Sequence, residues 1–159
     1  VIERQRRWYE QEKWAVRRTI ESVRALPESA RADERYQRAL DKIAHVLVAR
    51  QIWYERLAGV EPRGDGSAEG MPIDRIEALN AEVEREWDDY LGTLDDARLR
   101  NAVDYGAPGG PTRSSTIGDI LLHVYTHGFY HRGQVAALVN SLGGEPAQTG
   151  FIMWTREGR

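Results

Sequence analysis

The 159-residue chain has no cysteine. That excludes disulfides, protein thiolate nucleophiles and every Cys-ligated zinc or iron–sulfur site. Long apolar runs are missing as well. Stretches such as Val46-Leu47-Val48-Ala49 and Ile120-Leu121-Leu122 fall far short of the ~20 residues that span a membrane. Neither sign of charge dominates, with 22 basic residues against 25 acidic and a net charge of −3. There is thus no electrostatic reason to expect a nucleic-acid partner. Charged residues make up 30% and hydrophobic ones 41%, with a mean hydropathy of −0.61. This balance belongs to neither a disordered tail nor a membrane protein. A soluble protein is expected, and the lack of cysteine fits a cytoplasmic one. The length favours a single domain over 1–159. Val1 stands where an initiator Met would, so a start further upstream is allowed for.

Alternating strand patterns are also lacking, and four stretches carry helical periodicity instead. The first covers roughly 2–25, with Tyr9, Val16, Ile20 and Val23 on one stripe and Pro27 behind it. The second runs from about 33 to 58, with Asp33 or Ser29 as N-cap and Gly59 and Pro62 as the stop. Its wide apolar arc suits a helix with two neighbours. Residues 59–72 read as a loop. A third helix is expected to begin near Asp74, where Asp74 and Glu77 have capping-box spacing. Its stripe is Ile76, Leu79, Val83, Trp87, Tyr90 and Leu94. Residues 95–115 show no pattern, and Ala107-Pro108-Gly109-Gly110-Pro111 is a loop by composition. Ser115 or Thr116 caps a fourth helix that runs to Leu142. In the tail, Phe151, Ile152 and Trp154 are apolar enough to pack back. Four long helices and no sheet predict an all-α four-helix bundle. The loop 59–72 is long enough for helices two and three to run parallel, a choice that spacing leaves open.

The four histidines are His45, His123, His127 and His131. Three lie on the fourth helix at a stride of four, which puts successive rings on one face about 5–6 Å apart. The pairs 123/127 and 127/131 can each reach one metal ion. All three together drift about 80° around the axis, which argues against one ion taking them all. A third ligand then comes from another helix, and His45 is the remaining histidine, set among Val48, Ala49 and Ile52 on a face expected to be buried. Equally, a bundle histidine is often a half-buried polar residue bonded to a carbonyl or carboxylate. Gly128 and Gly133 each cost about 1 kcal/mol against alanine inside a helix, so both point to close approach by another helix or a ligand.

The string His123-Val-Tyr-Thr-His127-Gly-Phe-Tyr-His131-Arg-Gly-Gln134 resembles the closing helix motif of the DinB/YfiT-like superfamily. Ala44-His45 through Trp53 and Arg56-Leu-Ala-Gly59 is similar to its second helix, and Leu142-Gly143 through Pro146 and Phe151-Ile-Met-Trp154 to its tail. The resemblance implies an up-down-down-up bundle, usually a homodimer, that binds one divalent metal through His45, His127 and His131. His123 is then an extra ring one turn away. Gly150 stands where the family's tail often has Asp. Gly133 stands where the iron-binding branch has Glu. All-nitrogen ligation suits zinc or nickel first, and also iron or copper, and three imidazoles leave an open position of catalytic style. Characterised relatives join a low-molecular-weight thiol to an electrophile. The implied function is therefore that of a thiol-S-transferase, with a small thiol as co-substrate and a small-molecule electrophile. Its rival is a non-catalytic metal-binding stress-response protein. No carboxylate pair stands out as an acid/base couple. Arg132 reads as an ion-pair partner, Gln134 as support for a neighbouring group, and the tryptophans as packing anchors, with Trp53 able to touch an aromatic substrate.

Overall fold

Tyr9, Val16, Ile20 and Val23 are buried along α1 (Ile2–Arg24), as their spacing on one stripe requires. The computed structural model describes residues 1–64, 66–106 and 109–158. In α2 (Glu34–Ala58), the Asp33 carboxylate accepts the Arg35 N–H at 2.9 Å. That helix stops at Gly59, whose φ of +66° is a left-handed conformation that costs glycine little. The helix α3 (Ile73–Gly92) begins without the expected capping box: Pro72 is its N-cap and no side chain caps it. Asp74 and Glu77 instead accept from Arg24 of α1, at 2.6 and 2.7 Å. A charged neighbour on another helix has outbid the local bond. In α4 (Ile117–Ser141), Thr116 Oγ1 accepts the Asp119 N–H at 3.1 Å. A short α5 (Phe151–Arg156) closes the described chain.

Four short elements depart from the expectation. Glu28–Ala32 forms a 3-10 turn. Residues 95–115, expected to be loop, contain another 3-10 turn at Arg98–Arg100 and part of an antiparallel hairpin. Its strands are β1 (Ala102–Tyr105) and β2 (Arg113–Thr116), with Val103 opposite Ser115 and Tyr105 opposite Arg113. Four-residue strands offer two positions per face, too few for alternation to stand out. The protein is thus an all-α bundle carrying one small hairpin, and the expectation of no sheet at all is corrected.

Cross-helix pairs fix the direction of each helix. Lys13 with Asp88, and Arg24 with Asp74, run α1 and α3 antiparallel. Trp87 Nε1 donates to the Arg50 carbonyl at 3.1 Å, and Tyr90 meets Tyr54 one turn on, so α2 and α3 run parallel. Tyr125 donates to the Gln5 carbonyl, and Arg132 to Glu12, so α4 runs with α1. The order is up-down-down-up. Parallel α2 and α3 oblige the chain after Gly59 to return along the bundle. Arg63 Nε holds one end of that return to Glu55 at 2.9 Å, and the Gly70 N–H holds the other to Asp41 at 2.9 Å. The hairpin stays at the far end, beside the end of α2. Trp154 packs back against Trp14 and Ala15 as expected, whereas Phe151 and Ile152 remain exposed. No described helix is long and apolar enough to cross a membrane.

Candidate metal centre

Antiparallel packing of α2 on α4 turns the histidines of the two helices toward one seam. His45 Nε2 lies 3.2 Å from His127 Nε2, and one ring nitrogen from each of His45, His127 and His131 falls within 4.8 Å of the others. Metal–nitrogen bonds of about 2.05 Å at a tetrahedral angle require nitrogens about 3.3 Å apart. The His45–His127 pair already has that spacing, and the third ring needs to swing inward by at most about 1.5 Å. The donor set is compatible with a divalent ion. His131 is 9% exposed, and its Nδ1–H donates to Gln134 Oε1 at 2.9 Å. That bond fixes the tautomer and leaves the Nε2 lone pair free. Burial, reinforced by His131, His45, His123 and Arg50, holds the His127 imidazole down to about 4. Burial, then His131 and Lys42, lowers that of His45. Both rings are neutral near pH 7, the state a metal requires.

His45 corrects one expectation. It is exposed, while Ala44 and Val48 beside it turn to the core. The ring sits at the edge of the apolar arc, where the seam opens to solvent. Beside it lies an open cavity of about 340 Å³, lined by Asp41, Lys42, Ser67 and Glu69 among others. His123 does not join the three-nitrogen group. It is exposed, stacks on His127 at 5.5 Å and meets Trp53 edge to face at 5.6 Å.

Beneath the histidines lies an ionic cluster. Glu12 of α1 accepts from Arg132 of α4 through both carboxylate oxygens, at 2.6 and 2.7 Å, and also from Arg50 of α2. All three side chains are 4% exposed or less. Arg132 is the ion-pair partner it was expected to be. Glu12 and Arg50 had no local signal, since the partners lie 38 and 120 residues apart. The cluster also explains Gly128. A Cβ there would stand 2.6 Å from Glu12 Oε2 and 2.7 Å from Arg50 Nη2. Overpacking of this kind costs about 1–3 kcal/mol, against which alanine returns up to about 1 kcal/mol of helix propensity. Gly128→Ala is therefore expected to destabilise by roughly 1–2 kcal/mol, read from urea unfolding; an unchanged midpoint would contradict the close approach. Gly133 has nothing within 4 Å of such a Cβ among the described residues, so no described helix of the chain approaches it closely.

A helical bundle whose second and fourth long helices bring three imidazole nitrogens to one solvent-facing point is the class of protein these residues define. The chain belongs to the DinB family, whose model matches residues 3–157. It is similar to Protein DinB of Bacillus subtilis (strain 168), at 24% identity over 92% of this chain and 90% of that protein.

Proposed function

We propose that the protein is a metal-dependent transferase in which His45, His127 and His131 hold a divalent ion, zinc or nickel, and a low-molecular-weight thiol is joined to a small electrophile. The observation that carries this is the convergence of three imidazole nitrogens within 4.8 Å beside an open cavity. When bound, the ion supplies a Lewis acid that lowers the pKa of a small thiol toward neutrality. Arg50, Arg132 and Glu12 leave one net positive charge buried below the rings, and this favours an anionic sulfur above them. The cavity beside His45 gives the second reactant room. A sulfur–carbon bond forms as the bond from carbon to its leaving group breaks, and the thiol proton passes to solvent. We place the protein in the cytoplasm with small molecules as its partners, not nucleic acid or a membrane.

The test is a panel of thiols with a chloronitroaromatic electrophile, on zinc- and nickel-loaded protein. Turnover is expected to require both the metal and a thiol. Stoichiometric metal with no rate for any thiol would favour the non-catalytic metal-binding reading. Gln134→Ala is expected to weaken metal affinity about 10–100-fold by freeing the His131 ring, measured by competition with a chromophoric chelator. A homodimer belongs to the same proposal, supported by exposed Leu122 and Phe129 on one side of α4. Light scattering is expected to give twice the 18.1 kDa chain mass.

A further inference from the structure

The seam does not end at the histidines. Continuing from His127 through His123, the rings of Trp53 and Tyr105 follow, with centroid separations of 5.5, 5.6 and 4.9 Å. Over the last two rings lies the Arg56 guanidinium, 4.8 Å from the Trp53 centroid and 5.6 Å from that of Tyr105. Tyr105 is itself held by a 3.0 Å bond between its hydroxyl and Ser115 Oγ across the hairpin. Many arginines of this chain, among them Arg17, Arg24, Arg35 and Arg63, are tied to carboxylates. The Arg56 side chain makes no hydrogen bond or ion pair among the described residues, and the residue is exposed. Two aromatic rings therefore hold a cation whose N–H groups stay open to a ligand. A guanidinium held in this way suits a carboxylate, which it can bind through two parallel hydrogen bonds.

We propose that Arg56, held over Trp53 and Tyr105, is an anion subsite that binds a carboxylate of the thiol co-substrate. Eleven residues separate His45 from Arg56, three turns of α2, so both lie on nearly the same face about 16 Å apart along the axis. A molecule with sulfur at the histidines and a carboxylate at Arg56 is therefore peptide-sized, and its middle lies along Trp53 and His123. Small thiols without an acid group engage one end only. The assignment of the sulfur end rests on the transferase reading above; the Arg56 end does not.

Two measurements separate these ends. In metal-free protein, benzoate and its neutral isostere benzamide are titrated while tryptophan emission is followed, with Trp53→Phe assigning the signal. Benzoate is expected to quench saturably and benzamide far less, and Arg56→Gln to weaken benzoate about tenfold, the lower end for a charge-assisted pair. Circular dichroism checks that the variant is folded. Equal binding of benzoate by wild type and R56Q, or no preference for benzoate over benzamide, overturns the subsite. In cobalt-loaded protein, the thiolate charge-transfer band reports the affinity for glutathione and for its diethyl ester. Wild type is expected to prefer the free acid about tenfold or more, and R56Q to bring the ratio to within about twofold of one. A ratio preserved in R56Q overturns the proposal. No band with either thiol, together with Arg56-dependent benzoate binding, removes the thiol assignment and leaves the anion subsite standing.

Discussion

His127→Ala is expected to abolish stoichiometric metal binding, with occupancy falling from about one ion per chain and affinity dropping more than 100-fold. Losing an outer support of a metal ligand costs 10–100-fold, and His127 is a ligand in the proposed site. Its Nε2 lies 3.2 Å from His45 Nε2, and its ring is 4.6 Å between centroids from His131. Elemental analysis after gel filtration and a chelator competition measure the effect. Unchanged occupancy would show that the three rings are a structural cluster. The same ring governs a pH effect in metal-free protein. Burial and the neighbouring histidines hold His127 down to about 4, whereas an unfolded imidazole titrates near 6.5. Between those values the unfolded chain binds the proton and the folded one resists it. The stabilisation is thus fully present above about pH 6.5 and is lost as pH falls toward 4. The melting temperature of metal-free wild type should fall more steeply across this window than that of His127→Gln. Parallel slopes would contradict the shifted ring.

Glu12→Gln is expected to be among the most destabilising single changes, at about 3–5 kcal/mol, because it leaves two buried guanidinium groups without their counter-charge. Glu12 ties together α1, α2 and α4 through Arg50 and Arg132, each 4% exposed or less. Both Nε atoms of these arginines are already without a hydrogen-bond partner in the described structure, so the carboxylate carries most of the compensation. Chemical unfolding provides the number, and a loss under about 1 kcal/mol would mean that water reaches the cluster. Replacing all three charges by apolar residues of similar volume should be far milder than the single change, since the cost lies in the orphaned charges. Because the cluster lies under Gly128, and Gly128 and Arg132 directly follow His127 and His131 on α4, Glu12→Gln is also expected to loosen the metal site.

Much of this architecture is legible in the order of residues. The stripes Tyr9–Val16–Ile20–Val23 and Ile76–Leu79–Val83–Trp87 specify helices and the faces they bury, because side-chain period and helical pitch are local properties. Asp33, Thr116 and Gly59 mark termini for the same reason: each acts on backbone groups within a few residues. The histidine stride on α4 also makes a shared ion geometrically available before any fold is known. Local signals fail where a distant partner competes. The Asp74/Glu77 capping box gave way to Arg24, and the four-residue strands of the hairpin were too short to announce themselves.

The number and extent of the long helices, their apolar faces and the spacing of three imidazoles are written in the residue order, because neighbours along the chain set them all. Packing in three dimensions sets how closely His45 approaches the rings of α4, that α2 and α3 run parallel, and that Glu12, Arg50 and Arg132 meet beneath Gly128. Those depend on contacts between residues 36 to 120 positions apart, whose free energy comes from removing charge and apolar surface from water together, and no periodicity in one segment records it.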